Sequence, residues 1–223
     1  MAGRTTKTTS GEAPTGAPSG PDLRREQMLS AAVEVICERG FSETRISDVA
    51  ARADASPALV IYYFGTKDGL LTEALRWSED QFYAATEQVL AGLDTARKRL
   101  EMLASVTCVR ESDADVPDSW GLWFDLWVQA FRHPGVARDR VEMDQRWREV
   151  IAGIVREGQA SGEFGPADVE DFAVTWGALL DGLSIQVALD DPAVDSSRAV
   201  AIAMRLAAER LGFDREPATA PSP

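Results

Sequence analysis

The sequence holds few of the residues from which metal centres and catalytic sites are usually built. Its 223 residues include one histidine and two cysteines, and no cluster of these types has the ligand spacing of a zinc site. No glycine-rich loop follows a strand pattern, and no nucleophile lies at a recognisable spacing from a base. His133 precedes a helix-starting proline, which favours a cap or linker role. We therefore expect no catalytic residue, no metal and no cofactor.

Long apolar runs are also missing. No uninterrupted apolar stretch reaches the roughly 18 residues of a membrane-spanning helix, and the N-terminus lacks the apolar segment of a signal peptide. Cys37 and Cys108 have no CxxC spacing and lie in apolar helical contexts, which favours buried free thiols over a disulfide or redox switch. We expect a cytoplasmic protein with no membrane partner.

Basic residues are scarce relative to acidic ones. The chain has 23 Lys and Arg against 36 Asp and Glu, a net charge of −13. Residues 1–71 carry eight basic and nine acidic residues, so most of the negative charge belongs to the remainder of the chain. A nucleic-acid-binding function would therefore rest on a few placed contacts with a shallow salt dependence, and not on a basic field.

The stretch from Phe41 to Leu71 predicts two short helices about a tight turn, followed by the start of a third. Thr44 is placed to cap the first helix, and Asp54 occupies the turn as a residue type that tolerates a left-handed backbone. Ser56 is placed to cap the second helix, with Pro57 at its first position. The apolar face of the first helix is Ile46, Val49, Ala50 and Ala53. Two such helices form a helix-turn-helix, whose second helix can enter the major groove.

The remaining chain also follows helical periodicity, with no strand pattern. Residues 1–21 hold 14 Gly, Pro, Ser or Thr, which predicts a disordered tail, and 213–223 is predicted to be a second one. Between them we predict an all-α protein of about nine helices, with a three-helix head over 22–71 and a larger domain over 72–212. The helices expected outside the helix-turn-helix are 23–39, 66–91, 95–109, 119–132, 134–158, 167–189 and 195–211.

Several elements of the head occur in a specific combination: Gly40-Phe41, Thr44, Ile46, Val49-Ala50, Ser56, Phe64-Gly65-Thr66-Lys67 and Leu70-Leu71. In this combination they resemble the DNA-binding domain of the TetR (tetracycline repressor) family, over about residues 24–72. Two positions depart from the family pattern. Asp54 lies where the family generally has glycine, and Ile61 lies where it generally has a phosphate-binding tyrosine. Either Tyr62 or Tyr63 takes that role, or neither does.

The C-terminal part resembles the regulatory domain of repressors of the choline–betaine operon type, from about Trp120 to Leu211. The residues that carry this resemblance are Trp123 to Ala130, His133-Pro134, Gly158, Gly162-Glu163-Phe164 and Ala178 to Leu183. The family resemblance implies a homodimer on a palindromic operator and an effector site among the middle helices. The helices at 167–189 and 195–211 would then form a four-helix bundle with their two-fold mates, with Gly177 and Gly182 permitting close approach.

The candidate DNA contacts come from the helix-turn-helix and the helix that follows it. Pro57 and Ala58 can touch a thymine methyl group but cannot hydrogen-bond to a base. Lys67 adds positive charge to a helix N-terminus that already favours phosphate, although a solvated lysine is the alternative. The full candidate set is Thr44, Arg45, Ser47, Ser56, Pro57, Ala58, Tyr62, Tyr63 and Lys67.

An aromatic-rich helix suggests the effector site. Its aromatic residues recur at i, i+3, i+4, i+7 and i+11, so they share one face, which can be either core or the wall of a site for a flat or hydrophobic molecule. Asp125 and Asp181 could pair with a cationic group or be solvated. The candidate walls are Trp120, Trp123, Phe124, Trp127, Trp147 and Trp176.

These features predict a ligand-responsive transcriptional regulator, a dimeric repressor that a small hydrophobic or aromatic effector releases from DNA. Two alternatives remain open. One is a helical small-molecule carrier or enzyme that uses the aromatic residues and does not bind DNA. The other is an interaction module with a degenerate head, which Ile61 and the acidic balance motivate.

Overall fold

The computed structural model describes residues 20–108, 120–132 and 134–214, and His133 and most of the two predicted tails lie outside these ranges. The described residues confirm the all-α prediction. The first helix begins at Gly20, inside the predicted N-terminal tail. The helices are α1 Gly20–Arg39, α2 Ile46–Arg52, α3 Pro57–Phe64, α4 Lys67–Ala91, α5 Ala96–Cys108, α6 Trp120–Ala130, α7 Pro134–Ser161, α8 Val169–Ala188 and α9 Ser196–Leu211.

Local capping chemistry sets most helix starts. The Ser56 hydroxyl accepts a hydrogen bond from the Leu59 N–H at 3.2 Å, and Pro57 is the first residue of α3, as predicted. Thr66 caps α4 in the same way. Asp54 has a φ of 48°, the left-handed conformation expected for it in the turn between α2 and α3.

The predicted cap of α2 was wrong. Arg45 is the N-cap residue, and its backbone N–H donates to the Asp48 carboxylate at 3.2 Å. Thr44 is only 1% exposed, and its hydroxyl donates to the Gly40 carbonyl at 2.8 Å. Thr44 therefore satisfies a carbonyl just beyond the end of α1, where the helix leaves acceptors free, and it does not cap the helix that follows.

Apolar side chains from α1, α2, α3 and the first half of α4 form one hydrophobic cluster, which we call the head core. It also includes α6 and the start of α7. Asp125 of α6 strengthens this link by accepting a hydrogen bond from the Phe41 N–H at 2.7 Å. The head is thus packed against elements that follow residue 72 in sequence. The largest fully buried members of the head core are Met28, Leu29, Ile36, Leu70, Leu71, Leu122 and Leu126.

A second cluster, the C-terminal core, joins α5, the second half of α7, α8 and α9. Trp176 is fully buried in it, stacks on Phe172, and donates its indole N–H to the Ala203 carbonyl at 2.9 Å. At Gly158 a Cβ atom would lie 2.2 Å from the Phe164 ring, so only glycine lets that ring seal the end of α7.

The two cores meet along α4 and α7. On α4 the buried positions between Leu75 and Leu90 are polar or aromatic, namely Glu79, Tyr83 and Thr86. On α7, Trp147 lies between Met143 of the head core and Ile151 of the C-terminal core. We use "the junction" for Glu79, Phe82, Tyr83, Asp144 and Trp147.

The two glycines expected at a dimer contact behave differently. A Cβ atom at Gly177 would lie in ordinary van der Waals contact, 3.6 Å from Ile151 and 3.7 Å from Trp147, so this position faces α7 within one protomer. The predicted role of Gly177 at a dimer contact stays a prediction. Gly182 has open space where its Cβ would be.

Candidate functional site

The exposed face of α3 is largely apolar. Val60 and Phe64 point into the head core, and Leu59 packs on its edge. Tyr62 is 81% exposed and Ile61 is 41% exposed. This face therefore offers one phenol hydroxyl at its end and the hydroxyl of Ser56 at its start. Its members are Ser56, Pro57, Ala58, Ile61 and Tyr62.

The two tyrosines that follow Ile61 have different environments. Tyr63 is half-buried and packs on the head core, whereas the Tyr62 ring stands edge-on to it, with the centroids 5.7 Å apart. Tyr62 is therefore the one whose hydroxyl is free to reach a DNA backbone.

Polar groups lie beside this face. Arg45 and Ser47 are exposed at the start of α2. Lys67 donates from its ammonium group to the Ser42 carbonyl at 3.0 Å, which ties the first turn of α4 to the loop before α2. Thr44 belongs to the predicted contact set, but its buried and hydrogen-bonded side chain is not on this surface.

Most other arginines of the head are paired with acids. Arg52 bonds to Glu34 and Glu38, Arg39 to Asp48, and Arg25 to Glu73. Within the described part of the chain, the Arg45 guanidinium makes no such ion pair. The positive electrostatic field of the head is therefore weak, in line with the charge count. Arg45 is the arginine best placed for a direct contact with DNA.

The junction brings three aromatic rings together from two helices. The Phe82 and Tyr83 centroids lie 5.6 Å apart, and the Trp147 centroid lies 6.1 Å from Phe82 and 6.4 Å from Tyr83. These are distances at which aromatic pairs interact favourably. Since α4 and α7 each supply part of the cluster, the rings respond to any movement of one helix against the other.

One buried and two partly buried carboxylates, Glu79, Asp144 and Asp181, lie in this region. Glu79 is 6% exposed, and its Oε1 has no hydrogen-bond partner among the described residues. The pKa of Glu79 is raised to about 7, mainly by burial; the charges of Asp80 and Asp144 also raise it, while Arg146 and Arg76 lower it. Burial is also the main cause that raises the pKa of Asp144, and burial with the Asp144 charge raises that of Asp181 to about 6. A buried carboxylate is costly unless a cation or donor meets it, so this region is suited to receive a positive charge.

An internal cation already contacts the cluster. The Arg146 guanidinium carbon lies 4.0 Å from the centroid of the Tyr83 ring, and its Nη1 donates to Asp80 at 2.5 Å. Arg140, which precedes Arg146 on α7, forms an ion pair with Asp144 at 2.6 Å.

The structure distributes the predicted effector residues over three places. Trp147 lies in the junction, Trp176 is enclosed in the C-terminal core, and Trp123 packs on the head core. Phe124 and Trp127 are half-buried on α6, with ring centroids 5.9 Å apart. The side chain of Trp120 lies outside the described residues.

Sequence reasoning missed Glu79 and Tyr83 because it assigned the wrong face of α4 to the interior. The sequence of this helix predicts a continuous seam, at steps of three and four residues, through Leu71, Leu75, Ser78, Phe82, Ala85 and Val89. Ala85 and Val89 are instead exposed. A signal was present, since Leu71, Leu75, Glu79 and Tyr83 follow each other at intervals of four residues. A glutamate in register with two leucines marks a buried acid.

Two findings for the described residues concern metal binding and membrane insertion. In the ranges that the structure covers, no group of three or more His, Cys, Asp or Glu side chains is arranged to hold a metal ion. None of the helices there is both long and apolar enough to cross a membrane.

Comparisons with known proteins match both parts of the chain. Residues 28–74 match the family model described as bacterial regulatory proteins, tetR family, and residues 96–212 match the model described as BetI-type transcriptional repressor, C-terminal. The HTH-type transcriptional regulator BetI of Burkholderia thailandensis is 29% identical over 185 residues, which cover 82% of this chain and 90% of the relative.

Solved structures give the same result. A transcriptional regulator from Saccharomonospora viridis in complex with choline is 26% identical, with a TM-score of 0.75 over 86% of this chain and 99% of that one. A TetR-family transcriptional regulator from Rhodococcus sp. is 27% identical, with a TM-score of 0.71 over 84% of this chain and 98% of that one.

Proposed function

Since this chain belongs to the TetR family of transcriptional regulators, with a C-terminal domain of the BetI type, we propose that it represses transcription as a homodimer on a palindromic operator and is released by a small organic cation. Membership of a family of regulators argues against the enzyme alternative. The observation that carries the effector proposal is the buried Glu79 carboxylate, unpartnered among the described residues, beside three aromatic rings.

The exposed face of α3 is the proposed reading surface. Pro57 and Ala58 meet thymine methyl groups, and Arg45 and Ser47 supply the polar base contacts that α3 lacks. Tyr62 takes the backbone role of the tyrosine that the family has at the position of Ile61, an assignment that its exposure supports. Lys67 contacts phosphate from the N-terminus of α4. Ser56 belongs to this surface and Tyr63 borders it, while the buried Thr44 side chain is not part of it.

The homodimer is proposed to form through α8 and α9. Val174, Ala178 and Gly182 recur every four residues along α8, where Val174 and Ala178 are exposed and Gly182 is unobstructed. A helix face of small and apolar residues suits close packing against its two-fold mate in a four-helix bundle. The two heads then meet half-sites one or more helical turns apart.

The effector proposal combines the junction with a neighbour. The structure from S. viridis holds choline, a quaternary ammonium ion of the kind that aromatic rings bind through cation–π interactions. In this chain Tyr83, Phe82 and Trp147 supply the rings, and Glu79, Asp144 and Asp181 supply negative charge. The carboxylates narrow the expected effector from any hydrophobic molecule to a cation with apolar substituents. Trp147 remains the predicted aromatic wall in this proposal.

Release follows from the position of the junction. The helix α4 starts in the head, passes through the head core and ends against the C-terminal core. A ligand between α4 and α7 that fits the DNA-free arrangement better than the DNA-bound one shifts the population away from DNA by that difference in affinity.

The proposal is tested with operator DNA selected from genomic fragments by the purified dimer. Fluorescence anisotropy should report dissociation of the complex when choline is added. The control ligand is 3,3-dimethylbutan-1-ol, which has the shape of choline without its charge, and it should leave the complex intact. Equal release by both ligands, or by neither, contradicts the cationic effector, and absence of any selected DNA contradicts the regulator function.

Replacing Lys67 with alanine tests the head directly. We expect weaker binding to all sequences and a salt dependence with a slope smaller by about one, as for the loss of one phosphate contact. The control is Lys98→Ala, which removes an exposed lysine paired with Asp94 on α5. An unchanged DNA affinity for Lys67→Ala would favour the interaction module with a degenerate head.

A further inference from the structure

Arg146 occupies the place where the proposed effector should bind. Its guanidinium carbon lies 4.0 Å from the Tyr83 ring centroid, well inside the roughly 6 Å limit of a cation–π contact. The next residue along α7 is Trp147, whose ring interacts with both Tyr83 and Phe82. The Tyr83 ring is therefore already covered by a cation from the chain itself, the Arg146 guanidinium.

The guanidinium does not satisfy the buried acid next to it. Arg146 donates to Asp80 at 2.5 Å, and both of these side chains are substantially exposed. Its charge reaches Glu79 and opposes the burial of that carboxylate, but Glu79 Oε1 keeps no hydrogen-bond partner among the described residues. A second cation would improve the environment of Glu79, whereas Arg146 stabilises it only at a distance.

Two cations cannot share one ring face at contact distance, because their repulsion in a partly buried site is large. Arg146 has an alternative position, since its head group lies at the exposed edge of the α4–α7 contact and a long arginine stem lets it move into solvent.

We propose that Arg146 is a built-in competitor of the effector: it covers Tyr83 in the unliganded protein, and a cationic effector must displace it to reach Tyr83 and Glu79. This inference rests on the proposed cationic effector. It makes Arg146 a specificity-determining residue, since weakly bound amines are held off by the cost of displacing it.

Displacement also has a mechanical consequence. Arg146 of α7 pairs with Asp80 of α4, and Arg76 of α4 pairs with Asp139 and Glu142 of α7, so reciprocal ion pairs hold the two helices together. Displacing Arg146 breaks one of these ion pairs on the helix that leads into the head.

The test compares wild-type protein with Arg146→Gln and the matched control Arg76→Gln. Arg76 is a similarly exposed arginine of the same helix pair, and within the described residues it has no cation–π contact. The probe is tetramethylammonium chloride, titrated calorimetrically into the full-length dimer at constant ionic strength. A pH of 8.5 keeps Glu79 charged, since its pKa is about 7. We expect Arg146→Gln to bind the probe about tenfold more tightly than wild type, as for removal of one partly exposed competing cation. Arg76→Gln should gain clearly less, because Arg76 acts on Glu79 only through its charge and does not cover the Tyr83 ring.

Each result separates the inference from the effector proposal. Equal affinity in wild type and Arg146→Gln overturns the competitor role and leaves the cationic effector standing. Weaker binding by Arg146→Gln shows that Arg146 belongs to the site and also overturns it. No binding by any of the three proteins overturns the cationic effector and the inference with it.

A measurement on the wild-type protein covers the case in which Arg146→Gln does not fold. The side-chain Nε–Hε signal of Arg146 should be shifted by the Tyr83 ring current in the free protein. It should move to the position of a solvated arginine when the probe is added. A signal that stays shifted at saturation overturns the inference.

Discussion

The head core and the C-terminal core are built from similar helices but are closed in different ways. The largest fully buried side chains of the head core are Leu, Ile and Met, with α6 packed across it and Asp125 accepting a hydrogen bond from the Phe41 backbone. The largest fully buried side chains of the C-terminal core are the rings of Phe172 and Trp176, and the Trp176 indole is hydrogen-bonded to a carbonyl. Among the described residues, neither core holds a buried side-chain nitrogen or oxygen without a hydrogen-bond partner. In the junction between them, Glu79 Oε1 is buried without one in that part of the chain. On this contrast we propose the junction as the region that a ligand completes.

The largest expected effect comes from Trp176→Ala, which should unfold the C-terminal core preferentially. Removing a fully buried indole typically costs about 3–5 kcal/mol, and the Ala203 carbonyl would also lose its donor. Urea denaturation should show this loss. The control Trp127→Ala removes a half-buried indole from α6 and should cost clearly less. Similar losses in the two variants would contradict the difference drawn between the cores.

Leu126→Ala tests whether α6 belongs to the head core. The side chain is buried in that cluster, so we expect a loss of about 2–4 kcal/mol. Hydrogen exchange should accelerate first in α1 and the first half of α4. Val128→Ala, at an exposed site on the same helix, serves as the control. Faster exchange in α8 and α9 instead would place α6 with the C-terminal core.

Glu79→Gln should stabilise the unliganded protein at alkaline pH. Because the pKa of Glu79 is raised to about 7 in the folded state, the folded protein loses stability as pH rises from about 4.5 towards 7, and the cost is fully present above that. Asp80 and Asp144 add to this cost, while Arg146 and Arg76 reduce it.

Removing the charge should raise the free energy of unfolding at pH 8 by on the order of 2 kcal/mol. The gain should shrink towards pH 5. Thermal unfolding across this range checks it, with the exposed Glu87→Gln on the same helix as control. A gain that is independent of pH would mean that Glu79 does not titrate in this range.

Local sequence chemistry predicted much of this fold, because helix starts depend on neighbouring residues. Ser56 caps the helix that it was expected to cap, and Thr66 and Asp195 cap the helices that were predicted to begin at those residues. The last helix ends at Leu211 as predicted, and Gly212 after it is left-handed. The failure at Thr44 shows the limit, since its hydroxyl was taken by the Gly40 carbonyl and not by the following helix.

What depends on contacts between distant segments could not be read from the sequence. The aromatic spacing in α6 identified a shared face, but the side chains buried most deeply are Leu122 and Leu126, and Phe131 is 93% exposed. Which face of α6 is buried depends on its packing against the head core, most of whose members lie far earlier in the chain. The same kind of contact decides that Glu79 is buried, although its register with Leu71 and Leu75 was visible.

We propose that a cation bound at the junction releases the head from DNA. The most direct test is to titrate choline into the operator complex of wild-type protein and of Glu79→Gln and to follow dissociation by fluorescence anisotropy. We expect release of wild-type protein and a retained complex for Glu79→Gln at the same choline concentration. Release of both proteins at equal choline concentrations would contradict it.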